Sequence, residues 1–169
     1  MYGTDGKRLR LAGTDAGQRA YSVGKVQVLP QTENVFLIFK DGWHPAEVAE
    51  NNSSVEWQWS KKEATISFRN PRRESVFYLH LDNPGNVFQE KQTVIVLAGD
   101  KSVDQFTLAP KQELIRQVHL SNDQLGQADM VDLKVLVDKT FVPALLLPGT
   151  SHDPRELGVR VFHAFIEPK

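Results

Sequence analysis

"SVEWQWSKKEATISFRNPRRESVFYLHLDNPG", residues 54–85, decides the fold. Three runs in it repeat with a period of two. Val55, Trp57 and Trp59 share one side against Glu56 and Gln58, and Ala64, Ile66 and Phe68 alternate until Asn70-Pro71 closes the run. Phe77, Leu79 and Leu81 then oppose Val76, Tyr78 and His80. Successive side chains of an extended chain point to opposite faces, so this period signals strands with one face buried. The Phe77 face is the more apolar and is expected to be the inner one. By the same logic Trp57 and Trp59 are expected to point inward with Val55.

Upstream, "YSVGKVQVLP" (21–30) carries Val23, Val26 and Val28 and stops at Pro30, and "ENVFLIFKDG" (33–42) runs into a turn. Downstream, "QTVIVLAGDKS" (92–102) ends in a Gly-Asp turn and "SVDQFTLAP" (102–110) returns, which reads as a hairpin. "QELIRQVHLS" (112–121) and "DMVDLKVLVDKTFVP" (129–143) follow, the latter with Val131, Leu133, Val135 and Val137 expected inward. Between them Ser121 is placed to cap a single helical turn before Gly126. In the closing "LGVRVFHAFIEP" (157–168), Val159, Val161, His163 and Phe165 alternate with Arg160, Phe162, Ala164 and Ile166. Short strands separated by turn residues, with no long amphipathic helix, imply an all-β, antiparallel two-sheet β-sandwich. A jelly-roll order is the expected wiring, with an immunoglobulin-like order as the alternative. Residues 1–20, Gly-rich and polar, read as a flexible arm or linker, and residues 21–169 as a single β-sandwich domain.

Composition removes several classes of function. The 169 residues suffice for one sizeable core. Twenty basic against 21 acidic residues leave a formal charge of −1, without the positive field that nucleic-acid binding needs. Cysteine is absent, which excludes disulfides, thiolate catalysis and cysteine metal sites. No 18-residue apolar run exists to span a membrane, and the charged amino terminus lacks the apolar stretch of a signal peptide.

Signs of chemistry are sparse. The sequence has no G-x-S-x-G elbow, P-loop, dinucleotide fingerprint or H-E-x-x-H helix. The histidines, His44, His80, His119, His152 and His163, stand singly, although His80 and His163 would meet if their strands pair. No metal and no cofactor is expected. Carboxyls such as Glu56, Asp82, Asp153 and Glu156 are available, but spacing selects no glycosidase pair. "DNPGN" and "SNDQLGQAD" lack the dense alternating Asp pattern of a calcium loop. No catalytic residue is assigned. "SHDPRELGVRV" reads as a structural corner, with Arg155 and Glu156 free to pair and Gly158 letting the backbone swing into the last strand.

Ligand binding is the remaining use for conspicuous side chains. Trp43 sits in the turn-rich "KDGWHPAE", beside His44, and is the tryptophan expected near a rim, offering a stacking face to a sugar. Arg72 and Arg73, after Pro71, are the guanidinium donors that would complete such a site. No basic amphipathic helix accompanies the tryptophans, so a lipid-facing role for them is not expected.

"GWHPAE" (42–47), "WQWSKKEATISFRNPRR" (57–73), "ADMVDLKVLVDKTFVPA" (128–144) and "DPRELGVRVFHAF" (153–165) also carry a resemblance. Across residues 28–169 the sequence resembles β-sandwich modules at the carboxyl end of bacterial membrane glycosyltransferases of the protein-O-mannosyltransferase type, and of other cell-envelope proteins. The resemblance implies a non-catalytic accessory module, glycan-associated, in a bacterial cell-envelope or glycosyltransferase system, with a glycan or an envelope protein as partner. It carries over no catalytic residue. The alternative is a protein–protein interaction or spacer domain with no sugar ligand.

Overall fold

The alternating runs between residues 35 and 169 form strands in the computed structural model, which describes residues 14–17, 20–22, 35–84 and 87–169. The chain divides into two compact units, residues 1–34 and 35–169. In the first, β1 (Thr14–Gly17) pairs antiparallel with β2 (Ala20–Ser22), Asp15 opposite Tyr21. The rest of the expected arm and the strand expected at residues 23–30 lie outside the described residues.

The second unit is a two-sheet antiparallel sandwich. Its strands are β3 (Leu37–Phe39), β4 (Glu47–Ala49), β5 (Asn52–Trp59), β6 (Glu63–Arg69), β7 (Ser75–Asp82), β8 (Gln92–Ala98), β9 (Lys101–Leu108), β10 (Glu113–Leu120), β11 (Met130–Val137) and β12 (Arg160–Pro168). The first sheet has the order β10-β7-β12-β5-β4 and the second β3-β6-β11-β8-β9. From β5 to β12 the chain changes sheet at every connection except the β8–β9 hairpin, so each alternating strand must bury one face against the other sheet. That hairpin turns at Gly99, whose φ of 59° suits the first central position of a primed turn. Two single turns interrupt the strands, α1 (Asn122–Leu125) and α2 (Pro143–Leu146). Ser121 caps α1, its side chain accepting from Gln124 N while the Gln124 side chain accepts from Ser121 N.

The core lies between the sheets. Phe77, Leu79 and Leu81 of β7 are fully buried, and so is the Ile66–Phe68 side of β6. Val131, Leu133, Val135 and Val137 of β11 all point into the same cluster. At one margin Arg116 of β10 closes the gap to β9, with Nε and Nη2 2.6 and 2.7 Å from the Asp104 carboxylate and the guanidinium over the Phe106 ring.

Two glycines act through the space they leave. Gly42 has φ +81°, and a Cβ there would sit 2.0 Å from the Glu63 carbonyl, inside the β6 backbone. A Cβ on Gly158 would fall 2.6 Å from Ser60 Oγ. Its φ is not positive, so it serves close packing rather than torsional freedom, which corrects the expected reason for that glycine.

The W-x-W strand corrects a larger expectation. Opposite β12, Trp59 pairs with Arg160 and Gln58 with Val161. Val161 is in the core, so Gln58 takes the inner side and Trp57 and Trp59 face outward. Trp59 is nonetheless only 8% exposed, because Phe141 of the β11–β12 crossover covers it edge-on at 5.6 Å. Glu56 pairs with Val48 in β4, and both are exposed, so the inner side of β5 is open to solvent at this position. Polarity reported which side is wet and not which side faces the other sheet.

Candidate functional site

The expected ligand residues are placed apart. Trp43 forms an isolated bridge with Ser60 and packs against the core cluster, edge-on to Phe39 at 5.0 Å. Its Nε1 donates to Thr65 O at 2.9 Å. His44 Nε2 donates to Glu156 O at 2.7 Å and its backbone N to Trp59 O. Arg72 and Arg73 stand exposed at the other end of β6, Arg72 paired with Asp129 at 2.6 Å. Arg72 N bonds Asn70 Oδ1, five residues along the strand from Thr65 and so about 17 Å from it. The structure does not bring the two arginines to Trp43 and His44.

What it assembles instead is the outward face of the first sheet. β12 carries a bulge: Val161 opposes Leu81 and His163 opposes His80, leaving Phe162 as an extra residue. Val159 and Val161 point inward before the bulge, Ala164 and Ile166 after it. Phe162 and His163 therefore both lie on the outer side, where the sheet already carries Trp57, Tyr78 and His80. Trp57 meets Phe162 edge-on at 6.5 Å, and Phe162 meets His80 at 5.0 Å. His80 and His163, paired across the strands as their sequence positions suggested, lie 5.8 Å apart, and Tyr78 and Phe165 lie 6.1 Å apart in the next row.

Charged groups frame these rings, each fixed by a partner. Arg160 Nε donates to Asp82 Oδ1 at 3.0 Å and Nη2 to Oδ2, and its guanidinium lies 5.1 Å from both Trp57 and Phe162. Glu47, directly opposite Trp57, accepts from Arg155 Nη1 at 2.6 Å. Arg155 also chelates Asp153, and this bond holds the Asp153 carboxyl below the usual carboxylate range while raising the guanidinium further. His80 Nε2 lies 2.7 Å from Glu113 Oε1, and the Tyr78 hydroxyl donates to Glu167 at 2.7 Å. That last bond raises the phenol's pKa. A depression of about 160 Å³ opens among Tyr78, His80, Ile115, His163, Ala164 and Phe165, with Phe165 still 45% exposed.

The chemistry on offer is stacking and hydrogen bonding. Flat ring faces take the apolar side of a cyclic ligand, and fixed polar side chains orient its hydroxyls. The carboxyls considered for hydrolysis are engaged elsewhere: Asp82 by Arg160, Asp153 by Arg155, and Glu156 by Thr140 Oγ1 at 2.9 Å, while Glu56 is exposed on the other side of β5. Among the described residues no cluster of three or more His, Asp or Glu side chains is arranged to hold a metal ion, and no helix is long and apolar enough to cross a membrane. Sequence reasoning missed this face. The available signal was that Tyr78 and His80 are aromatic on the side of β7 opposite its apolar one.

No protein-family model and no curated protein matches the chain. Among solved structures it is similar to the CBM36-1 domain of a multidomain xylanase from the hindgut metagenome of Trinervitermes trinervoides, at 8% identity and a TM-score of 0.45, covering 80% of this chain and 98% of that one. It is also similar to a CBM36 carbohydrate-binding module in complex with calcium and xylotriose, at 13% identity and a TM-score of 0.41, covering 79% and 99%. A third is the C-terminal CBM6 of a marine laminarinase from Zobellia galactanivorans, at 9% identity and a TM-score of 0.39, covering 79% and 99%.

Proposed function

We propose that residues 35–169 form a non-catalytic glycan-binding module whose ligand lies on the outward face of the first sheet. The observation that carries this reading is the row of rings Trp57, Phe162, His80 and His163, with the pair Tyr78 and Phe165 beside it lining the same depression as the histidines, framed by the fixed pairs Arg160–Asp82 and Arg155–Glu47. The solvent side of an antiparallel sheet is ordinarily polar. Rings gathered there keep apolar area in water unless a ligand covers it, and mark a binding surface. A saccharide fits both halves of the arrangement, because its ring presents apolar C–H faces with hydroxyls around the edge. The resemblance carried by Gly42-Trp43, Trp57-Gln58-Trp59 and Asp153 to Val161 supports a setting beside a glycosyltransferase system of the bacterial cell envelope.

The test is titration of the protein with a panel of soluble polysaccharides, followed by tryptophan fluorescence and affinity electrophoresis. At least one neutral polysaccharide should bind, with Phe165→Ala and Trp57→Ala each weakening it about tenfold. Trp43→Phe should leave that affinity unchanged, since its ring lies on the core side. Ring variants that bind as tightly as the parent, or no binding across the panel, would sink the proposal and favour the protein-interaction alternative.

A further inference from the structure

The crossover from β11 to β12 contains "FVPALLLPGTS", residues 141–151, without a single charge in a chain of which 24% is charged. Its base is firmly held. Phe141 and Leu157 exchange backbone hydrogen bonds of 2.9 and 2.8 Å, Ala144 N donates to Asp153 O, and the Phe141 ring packs on Trp59 and Phe88. Pro143 then starts α2, which a Leu147 N to Pro143 O bond closes. At its end stand Leu145, Leu146 and Leu147, 80%, 45% and 48% exposed. Ordered backbone thus holds three adjacent leucines in water.

The occupant follows from shape, size and charge. Neighbouring residues on a helical turn point about 100° apart, so these leucines splay around the tip instead of sharing one side. A protein groove reads an amphipathic helix along one stripe, through exposed anchors three and four residues apart. Here the exposed leucines are consecutive, and Phe141 and Val142, which stand at that spacing from Leu145 and Leu146, are half-buried. Three side chains also fall far short of the roughly 20–30 residues per side that a stable protein interface uses. A turn that is apolar on several sides at once suits a medium that surrounds it. From these observations we infer that Leu145–Leu147 is a lipid-insertion tip, which enters the interfacial layer of a bilayer and holds the module reversibly at a membrane surface. The base of the tip rests on Trp59, and Arg155 of the same crossover binds Glu47 beside Trp57, so the crossover that carries the tip borders the aromatic face. The inference does not depend on that face binding sugar.

Flotation of the full chain with vesicles tests it, using phosphatidylcholine alone and phosphatidylcholine with phosphatidylglycerol. The parent should float with both at high lipid, and high salt should not release it, because apolar insertion is not screened. Leu145→Asp combined with Leu147→Asp should lower the partition coefficient about tenfold or more. Ile38→Asp, a comparably exposed apolar site on β3, should leave it unchanged. The thermal transition of the double variant should match the parent, since the leucines contribute little to the core. A parent that stays at the bottom of the gradient overturns the inference, as does a double variant that still floats or binding confined to anionic vesicles and abolished by salt. A dimer in lipid-free sedimentation, lost in the double variant, overturns it in favour of a second copy as occupant. Polysaccharide binding by the double variant should equal the parent's, which keeps failure here separable from failure of the glycan reading.

Discussion

Asn70 shows how much one side chain holds. It ends the alternating run of β6, is buried, and directs Nδ2 toward the carbonyls of Leu125, Gly126 and Ala128 at 3.3, 3.0 and 2.9 Å. Its Oδ1 accepts from Arg72 N at 2.8 Å, so a single amide ties the turn after β6 to the loop after α1. Asn70→Asp preserves the shape but sets a carboxylate oxygen against three carbonyls. It should cost about 3 kcal/mol or more by urea unfolding at neutral pH, because a buried group loses its donors and a charge loses its solvation. A loss below about 1 kcal/mol would mean that the backbone holds this corner unaided. From the sequence, Asn70-Pro71 was readable as a stop. The three carbonyl partners were not, since they come from residues 55 to 58 positions away that only the fold brings near.

β12 makes the corresponding point for an element. Its alternation reads as unbroken over residues 159–166, yet the structure inserts Phe162 between Val161 opposite Leu81 and His163 opposite His80. Nothing local marks the extra residue, because a phenylalanine is at home on either face of a strand. The sequence therefore revealed the strand, as it revealed the inward sides of β6, β7 and β11, but not the bulge that turns Phe162 and His163 outward together. The aromatic face was hidden for the same reason, and because Trp59 is buried by the crossover instead of the second sheet. Deleting Phe162 joins Val161 directly to His163 and restores continuous pairing. That deletion should cost less than about 2 kcal/mol and abolish saccharide binding by removing the ring between Trp57 and His80. Deleting Val161 instead keeps the register but sets Phe162 in the buried place opposite Leu81, an overpacking that should cost about 1–3 kcal/mol more than the Phe162 deletion. Chemical denaturation of both deletions checks the contrast. A loss well above about 2 kcal/mol for the Phe162 deletion would show that Phe162 is part of the packing and not an insertion. Equal losses would show that the site opposite Leu81 accepts either side chain.

Across the sandwich, stability divides between a core that does not titrate and a crossover that does. Apart from the Arg116–Asp104 pair at one margin, the two sheets meet through aliphatic and aromatic side chains, whereas the crossover over Trp59 is fastened to β4 by Arg155 with Asp153 and Glu47. Asp153 lies below the ordinary carboxylate range because Arg155 donates to it from its side chain and its backbone. A depressed folded pKa means the unfolded chain takes up the proton first. The stabilisation is therefore fully present above the ordinary aspartate value of about 3.9 and is lost as pH falls through the lower folded value. Arg155 stays charged throughout, so the protonation that matters is on the acid. Acid should accordingly release the crossover while the sheets persist, and two probes distinguish the events. Between pH 5 and pH 2, about the range where a salt-bridged aspartate titrates, tryptophan fluorescence should change at higher pH than far-ultraviolet circular dichroism, as Trp59 loses its cover before the strands unpair. Asp153→Asn should be less stable than the parent at neutral pH and should flatten the acid limb of the fluorescence curve. Coincident transitions by both probes, with the variant as steep as the parent, would mean that the crossover and the sandwich unfold as one unit and that the Arg155 pair does not govern it.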